Sequence, residues 1–449
     1  MRFDLLVRGD LVLKDRIVKD GGLGVTGERV AAVIEHPDGA EAAEVLDFSG
    51  RYVLPGLVDT HVHTGSTLSE GITRATAAAA AGGVTTVVDM PYDTPQPTTD
   101  VEVLRQKVAR VEAEAVVDVG LYGTMKKSAG HDALDPLLEE GVCSFKFSTF
   151  ESDPNRFPRI ADGDLYAAFE QLAASQVPIV VHAENEEIVG SRLAGARAAG
   201  EADNAAHGRS RPVVSETAAE ALALELAYWT GARLHIAHVT HPRGFELIDW
   251  YRQKGARVSG ETCVHYLALS DEDDVRRLGP LAKVNPPIRD AGVREGLWRD
   301  LLGGRIATVS TDHAPWPLER KQPPMLDSSS GIPGLETFLP VLWTEAVRRG
   351  ADLPAVLGHV TWRPAELFGL GRRKGSLEPG KDADFAVFDT RRPWTFDAGK
   401  SHSSAKWSPF HGREFAGRVE AAFLRGRQVA REGEVLANPG YGVWLRRGG

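Results

Sequence analysis

The chain has 449 residues, and its 42% hydrophobic and 25% charged content is that of an ordinary globular protein, which excludes wholesale disorder. Its 62 acidic side chains outnumber 52 basic ones, a net charge of −10 spread along the chain, which excludes a surface that coats nucleic acid. Cys143 and Cys263 are too few for a disulfide framework or a four-cysteine zinc module and point to a reducing, cytoplasmic setting; no run reaches 18 strongly apolar residues, so no membrane partner is expected.

In chain order, residues 1–52 read as short strands with turns: Phe3–Val7, Arg29–Ile34 and Val45–Phe48. Asp4 and Asp10 stand where a signal peptide would need an apolar stretch. Eight apolar, β-branched runs follow. They are Val53–His61, Val84–Met90, Val116–Gly123, Val142–Phe147, Val177–Ala183, Ala232–Val239, Ala256–Cys263 and Arg305–Asp312. Helical segments such as Asp164–Ser175, Glu216–Thr230 and Phe245–Lys254 lie between them, and Leu335–Arg349 follows the last. Eight such alternations predict an α/β protein built on a (β/α)8 TIM barrel. Residues 376–430 return to strand texture, with Asp384–Phe388 and Val419–Leu424. The prediction is therefore a barrel over 53–370 and one small β-sandwich domain stitched from 1–52 and 371–449. Arg446–Gly449 reads as a frayed tail.

A barrel of this kind does its chemistry at the C-terminal ends of its strands. With 14 histidines against 2 cysteines, any metal there must be held by nitrogen and oxygen. The first run ends in Asp59-Thr60-His61-Val62-His63, and positions i and i+2 of a strand point the same way, so His61 and His63 can clamp one ion. Lys146 lies in the fourth run, His182 ends the fifth, His238 the sixth and Asp312 the eighth. A lysine in an apolar run shifts towards the neutral amine. Such an amine can add CO2 to become a carbamate, an anion with two oxygens that can bridge two divalent ions.

These residues sit in motifs that resemble the cyclic amidohydrolases of the metal-dependent amidohydrolase superfamily: allantoinases, hydantoinases (dihydropyrimidinases) and dihydroorotases. The matching segments include GLVDTHVH at 56–63, GGVTTVVDMP at 82–91, FKFS at 145–148, VHAEN at 181–185, HIAHV at 235–239, STDHAP at 310–315 and GSLEPGKDADFAVFD at 375–389. The resemblance implies two divalent ions, Zn2+ by ligand chemistry, although manganese, cobalt or iron suit such ligands too. His61, His63 and Asp312 would hold one, His182 and His238 the other, and N6-carboxylated Lys146 would bridge them. It implies opening of a cyclic amide or ureide by a metal-bridging hydroxide, with Asp312 as the catalytic proton carrier. Homo-oligomers, tetramers or dimers, are also implied.

Around this set, Asn285, Trp316, Gly331 and Glu151 are expected to touch substrate, together with the loop Thr64–Ser69. Glu184 and Asn185 are expected to support the ligands or the loop. His235 points to the other face of its strand, against a helix. His241, just past a strand end, is within reach of substrate, and His265 stands further back. Cys143 and Cys263 are core residues, and Asp271–Asp274 is a solvated helix start. Dihydroorotases carry an Arg, an Asn and a His at the positions of Gly65, Tyr92 and Trp316, so that subgroup is disfavoured. Hydantoinases have a Tyr shortly after the bridging lysine, and Ser148–Glu151 offers none. Met90-Pro91, Pro95–Thr99, Leu339–Ala346 and Ser408–Phe410 look most like allantoinases, with Asp93 in place of their Asn. Hydantoinase and cyclic imide hydrolase activities are the alternatives. A non-catalytic scaffold is disfavoured because all six ligand positions are filled.

Overall fold

The computed structural model describes residues 2–127 and 130–449. The N-terminal strands β1 (Arg2–Val12), β2 (Ile17–Thr26), β3 (Arg29–Ile34) and β4 (Glu41–Pro55) come first. The barrel strands are β5 (Leu57–Val62), β6 (Val84–Asp89), β7 (Asp118–Gly123), β8 (Ser144–Ser148), β9 (Ile179–His182), β10 (Leu234–Ile236), β11 (Val258–Cys263) and β12 (Thr308–Ser310). After them come β13 (Phe385–Asp389), β14 (Trp394–Thr395), β15 (Glu414–Phe415), β16 (Arg418–Leu424), β17 (Arg427–Arg431) and β18 (Glu434–Val435).

β5 to β12 form one parallel sheet in sequential order. The β12 end meets the β5 end where Val62 bridges His313: His63 N–H donates to the His313 carbonyl (2.9 Å) and His313 N–H to that of His61 (3.2 Å). The sheet therefore curls into the predicted TIM barrel. Its strands are buried almost throughout, as continuous apolar runs require when helices cover the outside. Several helices begin on side-chain caps: Asp100, Asn185 and Asp290 accept the N–H of Val103, Ile188 and Val293.

The second large sheet has the order β18-β17-β16-β13-β4-β1-β2-β3, so it joins both termini. It wraps a core of its own, with Leu5, Val7, Leu23, Val53, Phe385 and Phe423 among its members. This is the small β domain expected from the flanks. Three details differ from the sequence reading. The run Val53–His61 is split, because Val53–Pro55 complete β4 and only Leu57 onward enters the barrel. β2 is an additional strand, whose glycines lie where side chains would clash: a Cβ on Gly24 would meet the Phe3 ring at 2.6 Å. Arg446–Gly449 is not frayed, since Leu445 is buried, its N–H donates to the Val119 carbonyl (2.8 Å), and Arg447 and Gly448 bond Gly141 and Gly369.

The two sheets are joined by a buried ion cluster. Lys374 Nζ lies 2.6, 2.8 and 2.7 Å from carboxylate oxygens of Asp118, Asp382 and Asp384. Arg425 pairs with Asp118 as well. Asp118 belongs to the barrel, whereas Asp382 and Asp384 lead into β13. The three carboxylates are close enough to hold a metal, but the lysine already occupies that place. A further tie comes from residues 390–417, between β13 and β16, which run back over the barrel: Phe396, Trp407, Phe410 and Phe415 join its hydrophobic core. Trp407 Nε1 donates to the Trp316 carbonyl (2.8 Å), and Ser403 and Ser404 donate to the buried Glu70 carboxylate.

Candidate metal centre

His61, His63 and Asp312 converge at one end of the barrel, with both histidine Nε2 atoms 3.3 Å from Asp312 Oδ1. Beside them His182 Nδ1 faces His238 Nε2 at 2.8 Å. Lys146 is 1% exposed, and its Nζ has no hydrogen-bond partner among the described residues. Burial pushes its pKa down to about 8, against the pull of Glu261 and Asp312. All six side chains line one cleft of about 780 Å³.

The far nitrogens of the imidazoles decide what this arrangement can hold. His61 Nδ1 lies 2.5 Å from Glu261 Oε1, and His182 Nε2 lies 3.0 Å from Glu184 Oε2. A carboxylate there fixes the proton on its own side of the ring, so the opposite nitrogen carries a lone pair. Burial, with Lys146 close by, pushes the His61 pKa down; burial, followed by His182, does the same to His238, so these rings are neutral. The inward lone pairs of His61 and His182 thus converge with His63, His238 and the Asp312 carboxylate, and among the described residues the far nitrogens of His63 and His238 have no partner that would fix their protons. Four imidazoles, a carboxylate and an unpartnered buried lysine around one point, two of the imidazoles oriented by carboxylates behind them, are a nitrogen and oxygen donor set that fits a metal centre.

The backbone is bent to aim two of these side chains. His238 and Asp312 adopt φ of +39° and +46°, two residues past the ends of β10 and β12. The left-handed conformation costs about 1–3 kcal/mol for a residue with a Cβ and persists where the surroundings impose it, commonly at functional sites.

Of the residues expected to touch substrate, Asn285, Trp316, Gly331 and Glu151 all line the cleft, as do Ser66, Thr67 and Leu68. Gly331 has φ +130°, and a Cβ there would meet Ala314 at 2.7 Å and Trp316 Nε1 at 3.1 Å. Glu184 is buried and pairs with Arg211 as well as His182; burial alone would raise its pKa, but these partners hold it well below the carboxylate range. Asn185 caps the helix Glu186–Ala198. His241 does not line the cleft, because its Nδ1 caps the helix Pro242–Gln253 by accepting the Arg243 N–H (3.0 Å). His235 bonds Ser259 (2.8 Å) and Thr308 (3.3 Å) on the neighbouring strands and packs edge-on against Phe368, at the end of the helix Trp362–Leu367. His265 is buried and pushed down to about 4 by burial. Burial pushes the Cys143 thiol up to about 12 and that of Cys263 up too, as suits core residues.

Gly65 stands where dihydroorotases carry an arginine. A Cβ there would meet Asp93 Oδ1 at 2.1 Å, and Asp93 is held in place by Lys107 (2.9 Å). No side chain fits at that position. Glu261 was not singled out in the sequence, although a carboxylate inside a buried strand run was the available signal. Glu261→Gln should weaken metal binding roughly 10- to 100-fold by loosening His61, read as metal per chain against a competing chelator; unchanged retention would show that Glu261 does not orient the ligand.

The family model described as "Amidohydrolase family" matches residues 52–429. The chain belongs to the amidohydrolase family. This amidohydrolase is 35% identical to an L-hydantoinase of Paenarthrobacter aurescens, over 99% of its own length and 98% of the relative's. It is 36% identical to an allantoinase of Deinococcus radiodurans, over 98% of both chains. The solved L-hydantoinase (dihydropyrimidinase) from Arthrobacter aurescens superposes with a TM-score of 0.95 at 35% identity, covering 99% of this chain and 100% of that one. A D-hydantoinase structure follows with a TM-score of 0.91 at 27% identity, covering 99% of each chain.

Proposed function

We propose that this amidohydrolase opens the ring of a cyclic ureide, allantoin or a hydantoin, at a pair of divalent ions, zinc by preference. The observation that carries the proposal is the convergence of His61, His63, His182, His238, Asp312 and the unpartnered Lys146 in one cleft, with carboxylates behind His61 and His182. His61, His63 and Asp312 would hold one ion and His182 and His238 the other, with Lys146 between them as an N6-carboxylate. Such a pair of ions polarises a carbonyl and lowers the pKa of water enough to supply a nucleophile at neutral pH.

The chain's own residues do the rest. Glu261 and Glu184 orient His61 and His182. Asp312 lines the cleft beside the ligand nitrogens, where it can take the proton of the attacking water and return it to the ring nitrogen as the C–N bond breaks. The product is a ureido acid. Asn285, Glu151, Trp316 and Gly331 shape the space around the ring. Relatives named allantoinase and L-hydantoinase are equally similar, so both rings stand. The filled position at Gly65 argues against dihydroorotate.

The division into a barrel domain, expected over 53–370 but with its first strand starting at Leu57, and a second domain from both termini belongs to the same proposal. So do a cytoplasmic setting, which free buried Cys143 and Cys263 support, and a homo-oligomer, dimer or tetramer. The exposed Trp229 and Trp250, on the helices Val213–Thr230 and Pro242–Gln253, support assembly. Among the described residues no helix is long and apolar enough to cross a membrane.

The test is ring opening of allantoin, hydantoin, dihydrouracil, dihydroorotate and cyclic imides by metal-replete protein and by protein stripped with a chelator. The expected result is turnover of allantoin or hydantoin that disappears on stripping and returns with zinc, manganese or cobalt. No turnover of any ring, or turnover indifferent to metal, would sink the proposal.

A further inference from the structure

The cleft contains two guanidiniums that no carboxylate contacts directly. Arg156, in the loop after β8, donates to the Tyr92 carbonyl (2.9 Å) and to Ser66 Oγ (3.3 Å). Arg320 donates to Ser329 Oγ (3.0 Å). Among the described residues neither has a carboxylate oxygen within 4.0 Å. The two lie 5.9 and 5.3 Å from the centre of the Trp316 ring, and all three residues line the cleft that holds the metal donors.

The other charges around the cleft are already matched. Arg211 is paired with Glu184, and Glu151 with Lys127. Asp327 is paired with Arg197 (2.9 Å), and Asp93 with Lys107. Asp153 accepts the backbone N–H groups of Asn155 and Arg156 (3.0 and 2.8 Å) and is the cleft carboxylate whose field falls most on Arg156, from beyond 4.0 Å. Asp312 belongs to the donor set. Arg156 and Arg320 thus flank an aromatic face against the single carboxylate of Asp153, with Arg156 half-buried and Arg320 exposed at the rim. Guanidiniums in such a place recognise a planar anion.

We propose that the ring opened here carries an anionic substituent, a carboxylate on a short side chain, which Arg156 and Arg320 select beside Trp316. The inference rests on the cyclic-ureide reading and names its substrate class. A loop-holding role for Arg156, through Ser66 and Tyr92, would affect every substrate alike, whereas charge selection acts only on the anion.

The experiment compares a hydantoin bearing a 2-carboxyethyl group on ring carbon 5 with its primary amide, which is nearly the same shape but neutral. One charge-assisted pair in a partly buried site should favour the carboxylate by roughly 10- to 100-fold in kcat/KM, mostly through KM. The preference should shrink as sodium chloride is added. It should collapse towards one in Arg156→Gln combined with Arg320→Gln, with Arg156→Lys retaining part of it. Equal kcat/KM for the two compounds, or variants that slow both in proportion, would overturn the inference. If neither is opened while unsubstituted hydantoin or allantoin is, the inference fails and the ureide reading stands; if no ring is opened, the ureide reading itself fails.

Discussion

Lys146→Ala should lose nearly all hydrolase activity even when supplied with excess metal. The side chain is buried without a partner, and burial favours its neutral amine. A neutral amine can add CO2, losing one proton to give a carbamate that supplies the anionic oxygens the histidine-rich set lacks. Removing it would leave the two ions of the proposed centre without a shared anion. Several kcal/mol of transition-state stabilisation go with it, so kcat/KM should fall by roughly a thousandfold or more. Metal content should fall below two ions per chain. With ¹³C-bicarbonate the parent protein should show a carbamate carbon signal that the variant lacks. Near-normal turnover by metal-replete Lys146→Ala would refute the bridge.

Lys374→Met should produce the largest loss of stability. The substitution keeps the length of the side chain and removes the ammonium that sits among Asp118, Asp382 and Asp384. Those carboxylates are buried; Arg425 would still pair with Asp118, and Arg29 and Arg373 with Asp382, but Asp384 would lose the cation that it pairs with. Breaking a buried pair on one side costs about 3–5 kcal/mol, because the partner's charge stays behind without water. The urea midpoint should therefore drop strongly. Replacing Asp118 and Asp384 by Asn in the same variant should recover part of the loss, since the stranded charge is what destabilises it. An unchanged midpoint in Lys374→Met would show that the cluster does not tie the barrel to the terminal sheet.

Much of this was legible in the chain. All eight barrel strands appear as apolar runs, because a parallel strand buried on both faces needs apolar residues at consecutive positions. The candidate ligands stand at or near the ends of those runs, the end at which such barrels do chemistry. Other features lay beyond local pattern. β2 is rich in glycine for the sake of Phe3 and Leu6 above it, and glycine reads as turn. The left-handed backbone at His238 and Asp312 is imposed by tertiary packing and leaves no mark on their neighbours. His241 sits where a substrate contact and a helix cap look the same from the sequence. Arg156 lies in an irregular loop, and its lack of a carboxylate in direct contact can be seen only in three dimensions.

The return of residues 390–417 across the barrel has a consequence for how specificity changes. Trp407 braces Trp316 through its backbone carbonyl, and Ser403 and Ser404 hold Glu70, at the base of the Thr64–Ser69 loop. The terminal portion thus sets the roof of the cleft without touching what lies inside. A hybrid that exchanges only the barrel with a relative would inherit the ligands but a foreign brace. Selection for new rings can therefore act on 401–410, where substitutions would shift Trp316 while leaving every cleft-lining side chain unaltered.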